Sequence, residues 1–439
     1  MRRIIGLFER FRSASMYTAS SVAKSLIGTA VAFVTIRWLD PKEIGLWQTL
    51  WMFQTYAFIV HLGVLTGLGR ELPWVMGNKS AADVDELLAN SHAVALGGSL
   101  LLLLAFPVIL LVNGELSATR LVPILCIVAT SALNIYETYQ GACFRGSSQF
   151  DVFTKIQLAD SALMVITIPM IMRWGLNGLA VRYLIQVVAE VVVRHVLMPR
   201  KVWPRLRLEP IRQLMTTGVP IFIVEYLLNF LRSIPRLVLL STGGFIVVGL
   251  FAPASAIVSL FQLVPMSLGQ YLLPVISRRI GAGAQPDSVW RLTWMSTLLY
   301  LLAGLPLVVA GWFLLPEAIR VFFPKYLDAM PAARIALLVG LVSGSSLTVN
   351  ILYGIGRVSY MVTYIGVSLA AMAGLTVLFA RLLPVLEGVM VGSALANLVS
   401  LVVANVLVWL ACRRGFHLSV GSTGETGGPD LQDEPIVPT

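Results

Sequence analysis

Twelve apolar segments separated by short polar connections set the plan of this chain. A helix crosses a bilayer with roughly 20 apolar residues, and the segments fall at roughly 16–36, 44–69, 91–112, 121–141, 156–173, 179–198, 216–240, 246–270, 291–315, 330–353, 361–382 and 388–411. The pattern predicts twelve membrane-spanning helices and an all-α polytopic fold. The segment 216–240 departs from its neighbours. It is apolar enough to span, yet it carries Glu225, Asn229, Arg232 and Arg236. Steps of four, three and four residues put all four on one helical face. Ionisable groups are costly in hydrocarbon, so such a stripe faces a bundle interior or a watery cavity. Pro220 and Pro235 release backbone carbonyls that only protein or water can satisfy. The segment reads as the wall of a transport cavity.

Composition agrees with the pattern. The 439 residues are 57% hydrophobic and 12% charged, with a mean hydropathy of +0.83, too little charge to cover a soluble surface of this size. The formal net charge of +10 sits in short clusters between apolar segments. Membrane topology accounts for these clusters, and no nucleic-acid partner is expected. Of the 32 Lys and Arg residues, 20 fall on the side that holds both termini, 9 on the other and 3 in mid-span. The positive-inside rule then places both termini in the cytoplasm and the chain in the cytoplasmic (inner) membrane. A basic, amphipathic start (1–15) shows no cleavage site and is not expected to be a removable signal peptide. Cys126, Cys143 and Cys412 show no CxxC spacing, so neither a disulfide nor a metal site is expected.

The connection 199–215 is basic and proline-containing. It divides the chain into two six-span halves, 16–198 and 216–411, and a Gly/Pro-rich acidic tail, 412–439, is expected to be disordered. The halves look like repeats. Ile44-Gly45-Leu46-Trp47 parallels Val248-Gly249-Leu250-Phe251 at an offset of 204 residues, and Phe144-Arg145-Gly146 parallels Leu352-Tyr353-Gly354 at 208. Repeats of six spans share one orientation, so a pseudo-twofold axis along the membrane normal relates them.

Trp38-Leu39-Asp40-Pro41-Lys42-Glu43-Ile44-Gly45-Leu46-Trp47 is similar to a family's opening pattern of leucine, any, proline, any, acidic, any, glycine. Gly67-Leu68-Gly69-Arg70 and Phe144-Arg145-Gly146 fit the same family. On these residues the chain resembles the polysaccharide-transporter branch, with its O-antigen flippases, of the multidrug/oligosaccharidyl-lipid/polysaccharide (MOP) exporter superfamily. The resemblance covers about 1–415. It implies a V-shaped pair of lobes around a central cavity, and alternating access for a polyprenyl-diphosphate-linked oligosaccharide in surface polysaccharide biosynthesis. Membrane lipid, a polysaccharide polymerase and chain-length machinery are the further partners it suggests.

Lys24, close to the centre of the first span, is a candidate cavity cation for a pyrophosphate or acidic sugar. Its alternative is a salt bridge to a neighbouring helix, such as with Glu225. Arg232 and Arg236 offer planar donor forks for phosphate oxygens, with Asn229 beside them. The alternatives are snorkelling for Arg236 and an internal pair with Glu225 for Arg232. Glu225, Asp160 and Glu190 are candidate ion-coupling groups, as carboxyls held out of water, and Glu137 is a weaker one. Glu190 shares a face with Gln186 and Arg194, which also predicts a structural Glu190–Arg194 pair. Asn350, Asn397 and Asn405 read as interhelical glue.

Three function classes compete: a lipid-linked oligosaccharide flippase, an organic-cation antiporter of the same superfamily, and a membrane-embedded polymerase or ligase. The enzyme lacks an outside loop in which to do its chemistry. With no GxxxxGK[ST] motif, neither ATP nor any other cofactor is expected. Spans one and seven together carry three cations against one carboxylate, which favours an anionic substrate and the flippase. In cells, a C-terminal alkaline phosphatase fusion should be inactive and a green fluorescent protein fusion bright; the opposite pair would invert the topology.

Overall fold

Long apolar runs broken by Pro, Gly and Asp fold into a succession of antiparallel helices. The computed structural model describes the backbone of residues 2–113, 118–281, 285–344, 348 and 358–413. There is no strand among them. In the first half, α1 (Arg2–Trp38) runs to what is here termed the far end, away from the chain's start. The amphipathic start is therefore continuous with the first span. The chain returns through α2 (Pro41–Ala57), a 3-10 turn and α3 (Val64–Asn78), a pair bent by 59° at Leu62 and Gly63. Next come α4 (Ala81–Asn113), α5 (Ala118–Gly146), α6 (Phe150–Ile166) and α7 (Ile168–Leu197).

The second half comprises α8 (Leu208–Leu250), α9 (Ala252–Gly281), α10 (Pro286–Phe322), α11 (Met330–Gly344), α12 (Val358–Leu382) and α13 (Val385–Arg413). Two of these labels cover more than one helix. Gly175 in α7 (φ 55, ψ −131) and Gly244 in α8 (φ 65, ψ −163) hold left-handed turns at the far end, where an L side chain would be strained. Among the described residues eight helices are long and apolar enough to span, or nine with the bent pair. The count of twelve remains an expectation from the sequence. The tail from 414, Asn350 and the repeat match at 352–354 lie outside the described residues.

Each half has its own apolar core. One gathers Leu65, Leu68, Ile135 and Tyr139 from α3 and α5. The other gathers Leu239, Ala254, Ala336 and Ala396 from α8, α9, α11 and α13. The extended segment 200–207, the middle of the predicted linker, is strapped to α4. The Arg205 amide donates to the Ala89 carbonyl (3.1 Å), the Arg207 amide to Asn90 Oδ1 (2.6 Å), and Arg200 pairs with Asp85 (2.7 Å).

The halves meet through α8, which packs along α2 and α3, and through α1 against α9. At the far end a third cluster bridges them, with Ile36, Leu39, Ile44 and Leu176 from the first half against Ala252, Tyr326 and Ala329 from the second. Two glycines make that approach possible. A Cβ on Gly45 would run into the Phe245 carbonyl, and one on Gly249 into the Pro41 carbonyl. Shifting the first contact by 204 residues produces the second with its partners exchanged. The repeat offset read from the sequence is therefore a pseudo-twofold contact in the fold. Around it, Lys325 pairs with Asp40 (2.7 Å) and the Tyr326 hydroxyl donates to the Leu39 carbonyl (3.2 Å).

Cysteines placed at Asp40 and Lys325, in a chain lacking its own cysteines, should therefore be joined across the halves by a short bifunctional thiol cross-linker. Gly45→Val, added to that pair, should cut the yield severalfold by wedging the contact open. An unchanged yield would show that the approach at Gly45 is not close.

Candidate functional site

The polar residues inside the first half collect on three helix faces. Ser20, Ser21 and Lys24 lie on α1, Gln157 and Asp160 on α6, and Tyr183, Gln186, Glu190 and Arg194 on α7. Spacings of three and four bring each set to one side of its helix. Lys24 Nζ lies 2.8 Å from Asp160 and 3.4 Å from Glu190. Arg194 pairs with Glu190 on its own helix and with Glu137 of α5 at 3.2 Å. Its guanidinium also sits over the Phe153 ring at 4.8 Å. The Ser20 and Ser21 hydroxyls donate to Gln157 Oε1 at 2.7 and 3.2 Å. Asp160, Glu190 and Arg194 are buried. Two cations thus meet three carboxylates inside an otherwise apolar bundle.

Further along the same face of α7, the Tyr183 hydroxyl accepts from Gln54 (2.8 Å) and Asn134 (3.3 Å). The Tyr183 ring lies against Trp47 and Trp51, at 5.8 and 5.0 Å. Polarity therefore continues from α1 to α2 through the first half.

The α8 stripe is arranged differently. Glu225, Asn229 and Arg232 are exposed and Arg236 is half-buried. Among the described residues none of the three ionisable groups forms an ion pair. Neither of the anticipated partners of Glu225, Lys24 and Arg232, is joined to it. Arg236 Nε is buried without a hydrogen-bond partner. The adjacent face of α8 is aromatic and packed: Phe222 against His61 (4.9 Å), and Tyr226 and Phe230 against Tyr56 (6.0 and 6.2 Å). One side of α8 is thus fixed to the first half, while its charged side stays open.

Two groupings follow for the residues picked out from the sequence. Lys24, Asp160 and Glu190 come together in the first half; Glu225, Asn229, Arg232 and Arg236 line α8. The Glu190–Arg194 pair is present as its spacing predicts. Gln54, Asn134, Gln157 and Tyr183 escaped sequence reasoning, because single uncharged polar residues in apolar helices carry no periodic signal. The two buried glutamines within the network were detectable only as polar interruptions.

A family model for polysaccharide biosynthesis proteins matches residues 34–331. The chain belongs to this family. Its fold is shared with solved transporters. An inward-facing multidrug resistance MATE family transporter of the MOP superfamily superposes with a TM-score of 0.70 at 15% identity, covering 89% of this chain and 96% of that one. The outward-facing conformation of such a transporter gives 0.64 at 15% identity, covering 92% and 94%. A MOP superfamily transporter from Pyrococcus furiosus, described by the reverse polarity of its binding pocket, gives 0.65 at 15%, covering 92% and 96%. A search of the curated proteins finds no match. This member of the family is a multi-pass membrane protein with the MOP transporter fold.

Arg194 neutralises two carboxylates at once, and removing one member of a buried pair typically costs about 3–5 kcal/mol. Arg194→Leu should therefore lower the melting temperature in detergent, and Arg194→Leu with Glu190→Leu should recover part of the loss. A double variant less stable than the single one would contradict the pairing.

Proposed function

We propose that the chain flips a lipid-diphosphate-linked oligosaccharide across the cytoplasmic membrane by alternating access, during assembly of a surface polysaccharide. The observation that carries this reading is the open charged face of α8. Arginines in mid-span are costly against lipid, and here an exposed Arg232 and a half-buried Arg236 share the stripe with exposed Asn229 and a single carboxylate. Guanidinium forks suit the oxygens of a diphosphate, and an amide suits a sugar hydroxyl. Membership of a polysaccharide biosynthesis family and a transporter fold support the same conclusion. The closed far end corresponds to the state that receives substrate from the cytoplasm.

Coupling shifts away from Glu225, which forms no ion pair among the described residues. The first-half network suits the task better. Protonating Asp160 or Glu190 would release Lys24 or Arg194 from its partner, and such a change biases a two-state carrier. On this reading Asp160 and Glu190, rather than Glu225, are the coupling groups among the three candidates.

A second reading, export of an organic cation, draws on one observation. The first half holds a surplus carboxylate near Trp47, Trp51 and Tyr183, a combination that suits a cationic ligand. Reconstituted vesicles separate the two. Arg232→Ala should abolish flipping of a fluorescent lipid-linked oligosaccharide at normal protein level, and Arg232→Lys should retain part. Asp160→Asn should remove the response to an imposed pH step, whereas Glu225→Gln should keep it. Full flipping by Arg232→Ala, together with uptake of an organic cation, would favour the second reading.

A further inference from the structure

The far end carries a pocket that the transport reading does not use. It has a volume of about 310 Å³ and is lined by Lys42, Glu43, Arg120, Trp174, Asn177 and Phe245, among others. Four separate segments supply it: the first turn of α2, the start of α5, the Gly175 turn, and the residue after the Gly244 turn. Lys42 and Arg120 form no ion pair among the described residues. Arg120 instead lies over the Phe245 ring at 6.0 Å. Glu43 is engaged at the start of α2, where it accepts from the Asp40 amide (3.1 Å). A second pocket, of about 470 Å³, is lined by Pro169, Met170, Met172, Arg173 and Trp174. The exposed Trp174 ring is the wall the two pockets share.

A cationic pocket beside an apolar groove, divided by a tryptophan, fits an amphiphile lying at the membrane interface. Its phosphate would meet Lys42, Arg120 and Arg173, and its acyl chain Met170 and Met172. We propose that this is a binding site for an anionic phospholipid of that leaflet, and that its occupancy holds the far end closed.

The second clause follows from the origin of the walls. Phe245 belongs to the second half and the other lining residues to the first. The Phe245 carbonyl is also the group packed against Gly45. Parting the halves at this end draws Phe245 away from Arg120 and dismantles the pocket. A ligand that needs both walls binds the closed state better and shifts the population toward it. The pocket would respond in this way whatever the protein transports.

The test uses the full chain with its three cysteines replaced by alanine and spin labels at Arg37 and Asp328, both exposed at the far end. Double electron–electron resonance compares nanodiscs of phosphatidylglycerol with nanodiscs of phosphatidylcholine. The closed, short-distance population should rise about twofold or more in phosphatidylglycerol. Lys42→Gln with Arg173→Gln should erase that rise without altering the phosphatidylcholine distribution, and Trp174→Ala should weaken it independently. Equal distributions in the two lipids, or an undiminished response in the Lys42/Arg173 variant, would overturn the proposal. Closure by inorganic phosphate added to phosphatidylcholine discs would reassign the site to soluble anions and overturn the lipid assignment.

Discussion

Everything in this molecule depends on how closely its two halves can approach at one end. At Gly45 and Gly249 each half presents a bare backbone to the other's carbonyl, and any side chain there would hold them apart. The contact is reciprocal, so one substitution unbalances a symmetric joint. It is small, and the Asp40–Lys325 pair at its rim is exposed, so the pair adds little to the closed state. Such a joint closes through shape and apolar packing, and parting it breaks the buried Tyr326–Leu39 hydrogen bond and exposes the cluster around it. On the proposed transport reading, this joint is the gate.

The second organising fact is the division of charge. The first half pairs these charges with one another, Lys24 and Arg194 being shared among Asp160, Glu190 and Glu137 with one carboxylate in surplus. The α8 stripe leaves Arg232 exposed and, among the described residues, without an ion pair. A buried network with three carboxylates is a place where a proton changes the balance. An open arginine face is a place where an anion changes it. On the proposed reading, placing the two on different helices would let ion and substrate act on separate elements of one bundle, joined through the packing of α8 on α2 and α3.

Much of the fold was legible because a membrane imposes length and apolarity on each helix. The repeat was legible as well, since Gly45 and Gly249 keep their spacing from the turns before them. The Glu190–Arg194 pair followed from a spacing of four on a helix. The partners of Lys24 did not, because Asp160 and Glu190 lie 136 and 166 residues away and nothing local marks them. Counting Lys24 with the α8 arginines overstated the cationic character of the cavity, since the fold surrounds it with carboxylates. The far-end pocket was equally hidden, as four distant segments each supply between one and three of its residues. Gly175 and Gly244 look ordinary in sequence, and only their left-handed backbone shows that each ends one helix and begins another.

The central claim is that the α8 face opens to one side of the membrane at a time. Accessibility of a single cysteine at Asn229, in a chain lacking its own cysteines, tests it most directly. With the far end closed, a membrane-impermeant maleimide should label this position from the cytoplasmic side of inverted vesicles and not from outside intact cells. Introducing Gly45→Val should reverse that preference. Labelling from the outer side in the otherwise native protein, or no change with Gly45→Val, would contradict the account.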